Sequence, residues 1–329
     1  MRLGGRWLQR LETTLSFVNL TPTPLAATSL YPQTVDLDGS IKDMAVDPTR
    51  NITIAVVDGK QRVRVINNVT RTEIAQIATA DKFTAVAIHS GKGIAYLATD
   101  NKKLSLLDLA TRTVTQTIAL GFDTEGIAVD PILNRAVLTT EAQDKAWILN
   151  LDTLQMVTSL TMGKNPGAVA IQTDTHIAVV ASKDDDALSL IDLTTNTATL
   201  NFNQIGKPTG LAISNRYNEA LVVSSDKDDL AIVQLSNPAA SISAISPAQA
   251  FTGAPATTLT VTGTHFIDGA IIYFGATALA TTWGSSSTLT AIVRADRKLT
   301  HWGCGQNLGL PGGSSCTHTK TAFVPSSFI

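Results

Sequence analysis

A six-residue, mostly apolar stretch with a polar residue near its end, LSLLDL at 104–109, returns five more times along the chain. The other copies are LSFVNL (15–20), VRVINN (63–68), AWILNL (146–151), LSLIDL (188–193) and LAIVQL (230–235). Their last residues, from Leu20 to Leu235, are separated by 48, 41, 42, 42 and 42 residues. The stretch 91–121 shows what one period contains: three short strands, IAYLAT, KLSLLD and TVTQTIAL, separated by polar turns. Every later repeat opens with an apolar–Ala–apolar triplet centred on Ala45, Ala87, Ala128, Ala170 and Ala212. A period of this length made of short strands predicts a β-propeller with one four-stranded sheet per repeat. The triplets predict innermost strands that converge near the axis, where a small side chain avoids overfilling.

Residues 15–30 align with 188–200 and read as the third and fourth strands of a blade whose inner half is missing. The expectation is therefore a truncated propeller, an outer half-blade followed by five repeats, over residues 1–240. Ring closure by the orphan strands is the alternative.

The inner strand, the YLAT-type second strand, the LSLLDL third strand and the closing IALG resemble the YVTN family of β-propeller repeats, with NHL-type and quinoprotein-like relatives. That resemblance implies a bacterial or archaeal protein of the cell surface or extracellular space. It implies no particular activity, because propellers host both binding proteins and enzymes.

After Leu235 the period stops. ISP (245–247), TLTVTGTHF (258–266), IYFG (272–275) and STLTAIV (287–293) resemble the IPT/TIG domain, a small immunoglobulin-like β-sandwich. On that resemblance Phe266 is the buried aromatic of a Gly-x-x-Phe motif and Gly263 lies in the turn after a strand. Alternation in Thr258-Leu259-Thr260-Val261 is the pattern of a half-buried strand. The sandwich is expected over 241–296, short of a closing strand because Arg294 replaces the family's proline. Residues 297–329 are expected to form an irregular tail.

The totals exclude several classes. Hydrophobic residues make up 44% of the chain and charged residues 16%, so core material is ample. Net charge is −2 and no basic block interrupts the repeats, so no nucleic-acid partner is expected. No apolar run reaches about 18 residues, so no membrane span is expected. The N-terminus lacks the apolar core of a signal peptide.

Two columns of polar residues recur with the period. Asn19, Asn67, Asp108, Asn150, Asp192 and Gln234 end the third strands. Each precedes a short turn, where an Asx side chain caps backbone N–H groups. The turns between second and third strands carry Asp58, Asp100, Glu141, Asp144, Asp184, Asp185, Asp186, Asp226, Asp228 and Asp229. These turns share a face with the connections between blades and form the candidate binding face, although lysines are interleaved and hairpin tips favour such residues anyway. The run 184–186 lacks the alternating ligand pattern of a calcium loop. His89 and His176 flank turns on the opposite face with no partner at ligand spacing. His301, Cys304, Cys316 and His318 are too tightly spaced for a zinc finger.

No catalytic residue, metal site or cofactor is expected. The sequence is read as a non-catalytic binding or scaffold protein whose propeller face takes a protein or glycan partner. The alternatives are a propeller enzyme (lyase, lactonase or quinoprotein-like dehydrogenase) with its site near the axis, or a non-functional gene fragment.

Overall fold

The computed structural model describes residues 14–17, 33–58, 60–235, 239–247, 256–274 and 277–293. Four successive repeats each form a four-stranded antiparallel sheet with strands in chain order. The second sheet consists of Phe83–His89, Ile94–Thr99, Lys103–Asp108 and Thr113–Ala119, the segments expected from the repeat. The fifth repeat contributes Pro208–Ser214, Glu219–Ser224 and Asp229–Gln234 as a three-stranded sheet. The innermost strands of the first four sheets, Ile41–Asp47, Phe83–His89, Gly126–Asp130 and Pro166–Gln172, lie side by side. The fold is therefore all-β, with stacked propeller blades followed by an immunoglobulin-like domain.

Alternation along each strand sends successive side chains to opposite neighbours. Val86 and Leu97 pack with Ile52 and Ile54 of the first sheet, whereas Ala87 and Tyr96 pack with Ile127 and Leu138 of the third. The inner-strand alanine thus fills space between sheets, not an open axis. Because both faces of a blade are covered, the second strands read as continuous apolar runs. In the fifth repeat Val223, Leu230 and Ile232, equivalents of the buried Ala98, Leu104 and Leu106, are exposed.

The opening segment departs from the expected alignment. Thr14–Phe17 pairs antiparallel with Gln33–Asp36, so the fourth-strand partner lies beyond the segment aligned to 188–200. Pro22 and Pro24 fall in that aligned segment, and neither has the N–H that a ladder needs. The longer excursion also accounts for the first irregular step of 48 residues.

Each blade hairpin turns through one residue in the left-handed region. Between first and second strands these are Asn51, Gly93, Asn134, His176 and Asn218, with φ of 52, 67, 52, 60 and 54°. Asn and Gly tolerate this region best, so His176 is the outlier of its column. Between second and third strands the equivalents are Lys102, Asp144, Asp186 and Asp228. The third-strand caps form as expected: Asn67, Asp108, Asn150 and Asp192 each accept two backbone N–H groups of the following turn. Gln234 instead donates from Nε2 to the carbonyls of Tyr217 and Asn218. Asn19 lies outside the described residues.

A further column, Asp47, His89, Asp130 and Gln172, ends the inner strands, and all four are buried. Each accepts a backbone N–H from the next turn. Because Nδ1 of His89 accepts from Lys92, its Nε2 carries the proton and donates to Oδ1 of Asn134 at 2.8 Å. This contact crosses from the second sheet to the third. Arg50 likewise donates to the Ser90 carbonyl at 2.9 Å, and Lys92 to the Leu151 carbonyl at 3.0 Å. His176 Nδ1 reaches Oδ2 of Asp130, one repeat earlier, at 2.7 Å, so both histidines tie blades together.

The chain divides into two compact units, Met1–Ala212 with Val222–Ala231, and Ile213–Leu221 with Ile232–Ile329. In the second, Ser241–Ser246, Thr257–Thr264, Thr288–Val293 and Thr281–Ser285 form one sheet in that spatial order. Tyr273–Phe274 and Thr277–Ala278 form a short second ladder. Leu259, Val261, Phe266, Ile272 and Leu289 form its core. Gly263 lies inside the strand opposite Ile242, not in the turn after it. A Cβ there would sit 1.9 Å from the Ser241 carbonyl oxygen, so only glycine permits this pairing distance. Arg216 pairs with Asp268 at 2.7 Å and lies 5.5 Å from the Trp283 ring centre. Residues beyond 293, including His301, Cys304, Cys316 and His318, lie outside the described residues, as does the question of a closing strand.

Candidate functional site

The loops of three successive repeats line an open cavity of about 600 Å³. Its wall holds Thr84 and Asp100 of the second repeat, and Asp123, Thr124, Glu125, Glu141, Ala142 and Asp144 of the third and the connection leading into it. Lys164, Asn165 and Asp184, from the next connection and the fourth repeat, complete it.

Packing fixes the connection that carries Asp123 to Glu125. Phe122 is buried and stacks on Trp147 at 4.9 Å between ring centres, with an interplanar angle of 10°. Thr84 then donates to the Thr124 carbonyl at 2.6 Å. Gly126 follows at the start of the inner strand, where a Cβ would meet the Gly167 carbonyl oxygen at 2.4 Å. Thr139, fully buried, donates to that same carbonyl at 2.6 Å. Glycine at 126 thus lets the inner strands of two repeats approach beneath the cavity.

The acidic turn residues divide into those the cavity collects and those it does not. Asp100, Glu141, Asp144 and Asp184 reach its wall, whereas Asp58, Asp185, Asp186, Asp226, Asp228 and Asp229 do not. Several hold backbone. Asp144 accepts the Asn165 N–H at 2.9 Å, and Asp186, one repeat later, accepts the Lys207 N–H at 2.7 Å. Asp185 accepts the Lys164 N–H at 2.8 Å, and Asp226 pairs with Lys207 at 3.2 Å. Because these acceptors sit in second-to-third-strand turns and their donors in connections between blades, the two loop sets share one face.

Asp123, Thr124 and Glu125 were not among the residues singled out from the sequence. Their signal was present in LGFDTEG (120–126), a connection on the same face as the acidic turns. They lie outside the repeating hairpin grammar, so periodicity did not mark them.

Six carboxylates line the cavity against one wall cation, Lys164. Burial and the Glu125 charge, opposed by Lys183, and then Asp184, opposed by Lys42, raise Glu141 above the ordinary carboxylate range. Thr124 is 1% exposed, and its Oγ1 has no hydrogen-bond partner. Asn165 Oδ1 is shielded and likewise unpartnered. Among the described residues no three His, Cys, Asp or Glu side chains are gathered closely enough to hold a metal ion. No helix among them is long and apolar enough to cross a membrane.

No curated protein matches the sequence. Among solved structures, the chain is similar to Kuenenia stuttgartiensis hydrazine synthase at 12% identity and a TM-score of 0.48, covering 60% of this chain and 77% of that one. It is also similar to the Neurospora crassa Pan2 WD40 domain at 10% identity and a TM-score of 0.49, covering 61% of this chain and 65% of that one. Residues 240–318 match the family model of the IPT/TIG domain.

Proposed function

We propose that this chain is a non-catalytic binding or scaffold protein that receives a partner in the acidic cavity on the loop face of its propeller. The cavity itself carries the reading. It is concave, is built by three successive repeats, and has the volume of a ligand site, roughly 300–1,000 Å³. Its wall offers carboxylates, hydroxyls and an amide on hairpin turns and the connections between blades, but no histidine, cysteine or serine among the described residues. Combined with an IPT/TIG domain, this arrangement fits recognition better than turnover. The likeness of the repeats to the YVTN family supports placement at a bacterial cell surface or in the extracellular space, with a protein or glycan as the partner. The acidic wall and the net charge of −2 oppose a nucleic-acid ligand.

Ala142 lines the cavity from a short exposed turn of 3-10 helix, so Ala142→Trp would fill the space without cutting a strand. Cross-linked capture from a native surface fraction by the wild-type chain should disappear with Ala142→Trp at unchanged thermal stability. Undiminished capture by that variant would exclude the cavity as the binding site.

A further inference from the structure

We infer that Arg216 is a latch that couples the IPT/TIG sandwich to the turn of the fifth repeat in the way one repeat is coupled to the next.

The period is the first ground. In the first two repeats, the turn between first and second strands sends a cation across to the repeat that follows. Arg50 donates to the Ser90 carbonyl at 2.9 Å. Lys92 donates to the Leu151 carbonyl at 3.0 Å and pairs with Asp152 at 2.6 Å. The fifth repeat has its equivalent turn between Pro208–Ser214 and Glu219–Ser224, and no sixth blade follows among the described residues. Arg216 of that turn reaches Asp268 of the sandwich instead. Both residues belong to the second compact unit, which holds this turn together with the sandwich.

The second ground is how many contacts converge on one side chain. Nε and Nη2 of Arg216 each lie 2.7 Å from Oδ2 of Asp268, while Oδ1 accepts the Gly269 N–H at 3.0 Å. The guanidinium also lies 5.4 Å from the Tyr217 ring centre and 5.5 Å from that of Trp283. Trp283 in turn donates from Nε1 to the Phe266 carbonyl at 3.0 Å, so it holds the same loop that carries Asp268. The backbone closes the junction, because the Asp268 N–H donates to the Arg216 carbonyl at 3.0 Å. An exposed ion pair alone is weak, but joined to two cation–π contacts it shifts a local opening equilibrium by about tenfold. The Arg216 side chain is 55% exposed, so the ionic part of the latch yields to salt.

The test is amide hydrogen exchange of the full chain, followed by NMR and read at Asp268. The acceptor of that amide is the backbone carbonyl of Arg216, which a side-chain substitution leaves in place, so faster exchange reports the parting of turn and loop. Arg216→Ala should speed exchange at Asp268 about tenfold. Arg216→Lys should recover only part of the protection, since an ammonium keeps the charge but loses the planar fork. Salt at about 1 M should speed exchange in the wild-type chain and leave Arg216→Ala unaffected. Protection across Ile94–Thr99 should stay constant throughout. Unchanged exchange at Asp268 in Arg216→Ala, no response of the wild-type chain to salt, or equal acceleration across Ile94–Thr99 would overturn the inference.

Discussion

Nδ1 of His176 lies 2.7 Å from Oδ2 of Asp130, a fully buried carboxylate at the end of the inner strand one repeat earlier. The other oxygen of Asp130 accepts the backbone N–H groups of Ile132 and Leu133. One side chain therefore closes its own turn and also reaches the next blade. His176→Asn should preserve the left-handed turn, since Asn occupies it at 51, 134 and 218, and should lose only the contact between blades. The expected cost is about 1–2 kcal/mol, from leaving a buried acceptor unpaired. His176→Ala should cost about 1 kcal/mol more, because a Cβ without a compensating polar group is strained at φ 60°. Urea unfolding midpoints order the three proteins; equal midpoints would remove the histidine from the account of stability.

Arg64 is nearly fully buried on a third strand, forms two 2.7 Å contacts with the Glu73 carboxylate and donates to the Leu37 carbonyl at 2.7 Å. Removing only the acid strands a buried charge. Glu73→Ala should therefore cost about 3 kcal/mol, and Arg64→Met distinctly less, because the Glu73 carboxylate it leaves is partly exposed and can hydrate. Denaturation of the two single variants decides this by their order.

Gly263→Ala should disrupt the sandwich, because its Cβ meets the Ser241 carbonyl oxygen and the Phe266 ring. An overpacked strand of this kind costs about 1–3 kcal/mol. Amide hydrogen exchange should accelerate across Ser241–Ser246 and Thr257–Thr264 and remain unchanged across Ile94–Thr99. Unchanged protection in the sandwich would show that the strands separate readily enough to admit a methyl group.

Acid should unfold the blades through their turn caps. The Thr111 backbone N–H, then its hydroxyl, hold Asp108 below the ordinary carboxylate range. At Asp192 burial pushes upward, but the Thr194 hydroxyl and the N–H groups of Thr194 and Thr195 outweigh it. A depressed carboxylate contributes stability above its unfolded value, and that contribution is lost as pH falls through the folded one. Thermal stability should therefore decline below about pH 4, and the Asp108→Asn, Asp192→Asn double variant should show a shallower decline. Asn already serves as the cap at 67 and 150.

Glu141 carries the opposite sign. Its raised value means that the folded chain disfavours the ionised form, so protonation relieves it. Glu141→Gln should raise the melting temperature slightly near neutral pH, and the gap should close as pH falls through the carboxylate range. A gap independent of pH would mean that the gain is unrelated to charge.

The blades were legible in the sequence because their causes are local and repeat. A 42-residue period, β-branched second strands and polar strand ends such as Asp108 set strand length, hairpin order and turn caps before any distant contact forms. The alternation of Leu259 and Val261 with threonine marked the sandwich strand for the same reason. What the period could not encode was decided by packing between elements. Gly263 occupies a strand because the neighbouring backbone passes too close for a Cβ, and sequence proximity to a turn said nothing of that approach. Asp100, Glu125, Glu141 and Asp184 come from separate turns and connections, and meet only where adjacent sheets stack. Asp186 and Asp228, alike in sequence to Asp144, do not reach that cavity, so composition alone could not separate wall from surface. The tertiary structure made that division, because which carboxylates border a common space depends on how neighbouring blades stack and not on where each falls in its repeat.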